Sequence, residues 1–240
     1  MDLNSEQDLL AFYAILSVIF LFFLYYYLSG KRILSDLILK INSGSADAES
    51  VKFTSDKITG MILTGIIPCI VFIVILKIAP SDIGFRTGDL SKAGYAVAAL
   101  FLLIPAVTFF TARNPAIWRI SPELRTETWK VRHVVIVIFC WISYLTGYEF
   151  FFRGVLWFLC YNAFGFWCAL AVNIFLYSLV HIPKGKFQTL GAIPIGVIFC
   201  LLSHFTGSFF PALLLHCTMA LSAEFFSFYH NPGFRFQKTL

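Results

Sequence analysis

The chain has 240 residues, of which 59% are hydrophobic and only 13% charged, with a formal net charge of +5 and a mean hydropathy of +0.81. A soluble domain sits near half apolar and a quarter charged, so this composition excludes an ordinary water-soluble globule and points to an all-α, polytopic membrane bundle. The excess of eighteen basic over thirteen acidic residues is loop charge of the kind that orients membrane proteins, and it forms no nucleic-acid-binding stripe.

In chain order, the first apolar run covers residues 9–28 and is long enough to cross a bilayer. Asp2, Glu6 and Asp8 precede it, where a secretory leader carries basic residues. The A-x-A of Ala46-Asp47-Ala48 lies too far downstream to be its cleavage site, so the run is expected to be a retained helix. A polar, Ser-rich stretch around 43–55 reads as a surface loop. Further spans are expected at 58–78, 93–111, 134–164, 166–181, 190–204 and 209–228, seven in all. The fourth is too long to stand upright and must tilt, break near Gly147 or Gly154, or run beyond the hydrocarbon. Between the third and fourth lies a basic segment, 113–133, in which Pro115 and Pro122 interrupt any long helix. The whole chain, 1–240, reads as one membrane domain: three N-terminal spans within 1–112, then a core over 134–228.

The six cysteines all lie in apolar runs, without a C-x-x-C, and read as small packing residues. Fourteen Lys and Arg fall on one side of the expected topology, in 31–57, 113–132, 184–186 and 235–238, against Lys77, Arg86 and Lys92 on the other. The positive-inside rule then puts the N-terminus outside and the C-terminus in the cytoplasm.

Ionisable groups inside a span cost about 2.5–3.5 kcal/mol each for Asp, Lys or Arg on insertion scales, which makes them functional candidates. Glu149, Arg153, His181, His216 and Glu224 are of this kind. Glu149 and Arg153 share a helix face at i and i+4, with the acid N-terminal, the favourable order for a pair; a charge-neutralising clamp between helices and a general base are both open readings. Asn173 and Tyr177 precede His181 by two turns and one. His216 follows Pro211 into the last span. Glu224, near a membrane edge, reads as an interfacial residue; His133, His204 and His230 carry no assigned role. No H-E-x-x-H, G-x-S-x-G or G-x-G-D is present, which removes several intramembrane chemistries.

The stretch Tyr148-Glu149-Phe150-Phe151-Phe152-Arg153-Gly154 resembles the first motif, E-E-x-x-x-R, of the CAAX-protease and bacteriocin-processing family of intramembrane proteases, whose members include the type 2 CAAX prenyl endopeptidases. Tyr177 to His181 is similar to the second motif, F-x-x-x-H, and His216 to the third, H-x-x-x-N. The resemblance covers roughly 134–228 and implies an intramembrane endopeptidase acting on a membrane-associated or prenylated peptide, with the site between the fourth, fifth and seventh spans. It implies Glu149 and His181 as water activators, Arg153 as orienter and His216 as oxyanion donor. If the reaction is metal-dependent, Glu149, His181 and His216 are the implied ligands of a divalent ion such as zinc; no cofactor is otherwise implied. The expected partners are membrane lipid and a peptide or prenylated protein, without nucleic acid, and the expected location is a bacterial cytoplasmic membrane.

Two positions depart from the pattern. The first acid of the leading motif is Tyr148, and the Asn of the third is Ala220, which lacks a donor; one lost oxyanion donor typically costs about 10²–10³ in rate. The alternatives are therefore a catalytically degenerate relative acting as a bacteriocin self-immunity factor or membrane adaptor, and, third, a transporter or proton relay built on the Glu–His set. In the family the cavity is expected to open to the cytosol near the turn Thr206–Ser208, which places the N-terminus inside, opposite to the charge rule.

Overall fold

The computed structural model describes residues 6–41 and 47–237. It is a helical bundle, with helices α1 (Glu6–Gly30), α2 (Ile33–Ile41), α3 (Ala48–Met61), α4 (Gly94–Thr111), α5 (Val131–Glu149), α6 (Trp157–Leu179), α7 (Lys186–Thr206) and α8 (Phe210–His230). Helix α3 continues in wide π turns to Ile75, and α5 runs into α6 through a π segment, Phe150–Leu156. Among the described residues, six stretches are long and apolar enough to cross a membrane. One of them, Val131–Leu179, has 49 residues and at 1.5 Å per residue is roughly 70 Å long, over twice the hydrocarbon thickness. It turns at Gly165, whose φ of 74° and ψ of 179° lie outside the range L-residues favour, and so divides into two passes. Seven passes result, as hydropathy predicts, and the chain is a multi-pass membrane protein.

The 134–164 span was expected to tilt, to break near Gly147 or Gly154, or to run beyond the hydrocarbon. The chain stays helical through both glycines, with a π segment over Phe150–Leu156, and turns at Gly165, the boundary between the fourth and fifth expected spans. Gly147 is where α5 meets the π turns after α3, and a Cβ there would lie 2.8 Å from Gly65 Cα and N. Backbone cannot yield as a side-chain tip does, so we expect Gly147→Ala to destabilise the bundle by about 1–3 kcal/mol. Thermal unfolding in detergent checks this against Gly30→Ala, where a Cβ meets nothing within 4 Å.

The expected surface loop at 43–55 is corrected in part. From Ala48 onward it is helix, because Asp47 caps α3 by accepting from the Glu49 N–H, a start signal that the surrounding serines concealed. Residues 43–46 lie outside the described residues, as do Asp2 and Lys238. Helix α2, not expected from the sequence, packs against α3.

Loop contacts sort the two ends of the bundle. At one end, Thr126 donates to Asp47 (2.7 Å), the Tyr26 hydroxyl donates to the Val180 carbonyl, and strands β1 (Thr128–Trp129) and β2 (Arg235–Phe236) pair in parallel. At the other, the Arg86 Nε donates to the Gly207 carbonyl (2.7 Å) and Ser208 to the Arg86 carbonyl (2.5 Å). The basic segments gather at the first end, as the charge count groups them.

Candidate active site

The π segment after α5 places the central charge pair. Glu149 and Arg153 are both fully buried, with Arg153 Nε 3.6 Å from Glu149 Oε2. A π turn leaves helix carbonyls offset from their usual donors; one of these, Phe152 O, accepts from Asn173 Nδ2 at 2.7 Å, which ties α6 to the segment. The Arg153 guanidinium stacks on Tyr177, Cζ 4.0 Å from the ring centre, and Gly196 on α7 leaves room for that stack, since a Cβ there would come within 3.2 Å of the Tyr177 ring.

Glu149 spends its other oxygen on α8. His216 Nδ1 and Glu149 Oε1 are 2.5 Å apart, a charge-assisted contact. A carboxylate only accepts, so Nδ1 carries the proton and donates, and Nε2 is left as the acceptor on the opposite edge of the ring. His181, at the end of α6, is fixed in the same sense: its Nδ1 donates to the Tyr177 carbonyl at 2.7 Å, which again leaves Nε2 as an acceptor.

Both imidazoles line a cavity of about 300 Å³, together with Tyr148, Tyr177 and Ala220. Glu149 and Arg153 are not among its lining residues. Neighbouring side chains on a helix project about 100° apart, so when Tyr148 faces the cavity Glu149 faces away. The Tyr148 ring lies edge-on to His216 and His181, with centroids 5.6 and 6.5 Å away, packed by Phe22 and Phe152. Its hydroxyl is buried and has no hydrogen-bond partner among the described residues, a state that ordinarily costs about 1–3 kcal/mol.

The cavity runs along α8 from His216 past Ala220 to Glu224, and its outer lining includes Ser121, Glu123, Lys184 and Gln188. It therefore opens at the basic end of the bundle. The expected opening beside Thr206–Ser208 is corrected: that turn is plugged by Arg86, and the C-terminal half of α8 lines the approach. Glu224 is also not interfacial. It is 1% exposed, and both its oxygens accept from the Glu123 N–H, at 2.8 and 3.0 Å, so it pins the 120–124 loop as a cavity wall.

Glu123 in turn pairs with Lys57, 2.6 Å away, whose Nζ sits 3.2 Å from the centre of the Trp141 ring. Partial burial works to raise the Glu123 carboxyl, but Lys57 first, then Lys184 and Lys52, bring it below the usual carboxylate value. A depressed folded-state pKa contributes stability that is present above the unfolded value, about 4.3, and lost as the pH falls through the folded one. We expect the melting temperature to decline below about pH 4.3, and less steeply in Glu123→Gln; parallel pH curves would contradict this. Hydropathy and motif spacing gave no signal for Glu123, Lys57 or Lys184.

The donor set does not suit a three-ligand metal centre of the zinc type. Nδ1 of each histidine is engaged, Glu149 has one oxygen on His216 and the other beside Arg153, and only the Nε2 of each ring remains as an acceptor. Among the described residues no group of three or more His, Cys, Asp or Glu is placed to hold a metal ion.

No curated protein and no solved structure matches the chain. A family model does, that of the Type II CAAX prenyl endopeptidase Rce1-like proteins, over residues 128–222. The matched segment begins at β1, contains Glu149, Arg153, His181 and His216, and ends before Glu224. Over this segment the chain is similar to the Rce1-like type II CAAX prenyl endopeptidases.

Proposed function

We propose that the protein is an intramembrane endopeptidase that hydrolyses a membrane-associated or prenylated peptide within the cavity between α5, α6 and α8. The observation that carries this reading is the convergence of His181, His216 and Tyr148 on one cavity, with Glu149 and Arg153 buried directly behind. Such a set is costly to bury in a membrane bundle unless it is used. Water reaches the two imidazoles from the basic end, and apolar substrate chains have the bilayer alongside.

By the positive-inside rule the basic end, and with it the cavity mouth, is cytoplasmic, and the N-terminus lies outside. A bacterial cytoplasmic membrane is the setting this reading adopts. The function is tested with purified protein in lipid vesicles and a quenched farnesylated peptide: cleavage by the parent and none by His181→Ala supports it.

A second reading, a non-catalytic relative serving as a self-immunity factor or adaptor, is favoured by one observation. Ala220 lines the cavity where the third motif has Asn, so the side of His216 facing the cavity lacks the family's neighbouring donor. An inactive parent across a panel of anchored peptides selects this reading.

A further inference from the structure

Both histidines are locked in the same tautomeric sense. His216 gives its Nδ1 proton to Glu149 at 2.5 Å and His181 gives its own to the Tyr177 carbonyl at 2.7 Å. Each neutral ring can then only accept at the cavity-facing Nε2. An oxyanion needs a donor, and in this state neither imidazole provides one. Ala220, which stands in the place of the motif's Asn, provides none either. The Tyr148 hydroxyl is a donor, buried, without a partner among the described residues, and set edge-on to both rings.

We infer that the division of labour in this chain is exchanged relative to the family pattern: His216, oriented by Glu149, is the general base, and Tyr148 is the oxyanion donor. The inference rests on the proteolytic reading above and assigns its roles. Water held between the two Nε2 atoms loses a proton to His216 as its oxygen bonds to the peptide carbonyl carbon. The carbonyl π electrons move to oxygen, and that oxyanion accepts from the Tyr148 hydroxyl. His216 Nε2–H then delivers the proton to the amide nitrogen as the C–N bond breaks, giving a carboxylic acid and an amine with the second proton of the water accounted for on the acid. Glu149 touches neither substrate nor water; it is a positioning residue that fixes the His216 tautomer and stabilises the imidazolium while it exists. Arg153 holds Glu149 from behind.

The same argument gives Tyr148 a meaning that its departure from the motif conceals. A Glu at 148 would place a carboxylate against the Nε2 atoms that the present site keeps for water. Tyr148→Glu should therefore lower activity here, whereas a site that works by the family's acid would gain from it.

The experiment uses the full chain in vesicles with the quenched farnesylated peptide. Tyr148→Phe keeps the ring between Phe22 and Phe152, and should reduce kcat by about 10²–10³ with KM unchanged. His216→Gln separates the two roles of that residue, since an amide can donate to an oxyanion but cannot take a proton; turnover should fall below detection. A Tyr148→Phe variant as fast as the parent, a Tyr148→Glu variant faster than it, or a His216→Gln variant within tenfold of it overturns the inference while leaving the protease reading intact. A parent that cleaves nothing removes the protease reading itself, and the inference with it. Melting temperatures of the three variants guard against loss of fold; a variant that unfolds is replaced by Tyr148→Leu or His216→Asn, neither of which restores the lost group, and is read in the same way.

Discussion

Arg153→Ala is expected to cost about 3–5 kcal/mol of stability, the usual penalty for removing one partner of a buried ion pair. The carboxylate of Glu149 would be left fully buried against only the His216 ring, and the Tyr177 face on which the guanidinium rests would lose its partner. The lost volume next to Gly196 adds a cavity. Arg153→Lys should recover part of the loss, because an ammonium keeps the charge but not the planar stack. Combining Arg153→Ala with Glu149→Gln should restore more stability than Arg153→Lys does, since no unpaired charge then remains. Chemical unfolding in one detergent, run on the parent, Arg153→Ala, Glu149→Gln and the double variant, with Arg153→Lys alongside, reads this as a cycle. A single Arg153→Ala variant within about 1 kcal/mol of the parent would mean the pair is solvated in the membrane.

Glu149→Gln should act on turnover as well as on stability. It strands the fully buried Arg153 guanidinium, whose Nε lies 3.6 Å from Glu149 Oε2, so the loss of stability should be of the same order as in Arg153→Ala, although the stack on Tyr177 is kept. The neutral amide can also present an N–H to His216 Nδ1 and so hold the wrong tautomer, and it cannot stabilise the imidazolium. By analogy with the carboxylate of a Ser-His-Asp triad, kcat should fall roughly 10³–10⁴-fold. The measurement is single-turnover cleavage of the farnesylated peptide with enzyme in excess, alongside a binding isotherm for a non-cleavable analogue. Cleavage at the parental rate would detach Glu149 from the mechanism; weakened binding with unchanged single-turnover rate would make it a substrate-binding group instead.

Much of the fold is legible in the sequence because a bilayer imposes long apolar windows whatever the tertiary arrangement. The limits of α4 and α8 fall within two residues of the hydropathy spans. The boundary between the expected spans 134–164 and 166–181 falls on the turn at Gly165, which alone of the three glycines adopts a positive φ; what hydropathy does not show is that Gly147 and Gly154 serve close packing against Gly65 and Ile83.

The pair Glu149–Arg153 and the two histidines are legible because ionisable groups in an apolar span are few. Their division between cavity and buttress is not, since it depends on the rotation of the π segment, which decides whether Tyr148 or Glu149 faces the opening. The outer groups Glu123, Lys57 and Lys184 come from three separate segments, and Glu224 acquires its role only when the 120–124 loop folds over it. Local pattern carries no record of such meetings. The direction of the cavity is hidden from the sequence for a related reason: it depends on which end of α8 is covered, and the Arg86 contact with Gly207 at the Thr206–Ser208 end bridges residues 121 positions apart.

The central claim is that Tyr148, His181 and His216 form a hydrolytic centre. Mass spectrometry of a farnesylated peptide incubated in vesicles with the parent chain, and with His216→Ala and His181→Ala, addresses it directly. The account predicts two product fragments from one internal peptide bond with the parent, and intact peptide with both variants. Intact peptide in all three reactions, with the parent folded and the peptide shown to be in the same vesicles, would contradict it.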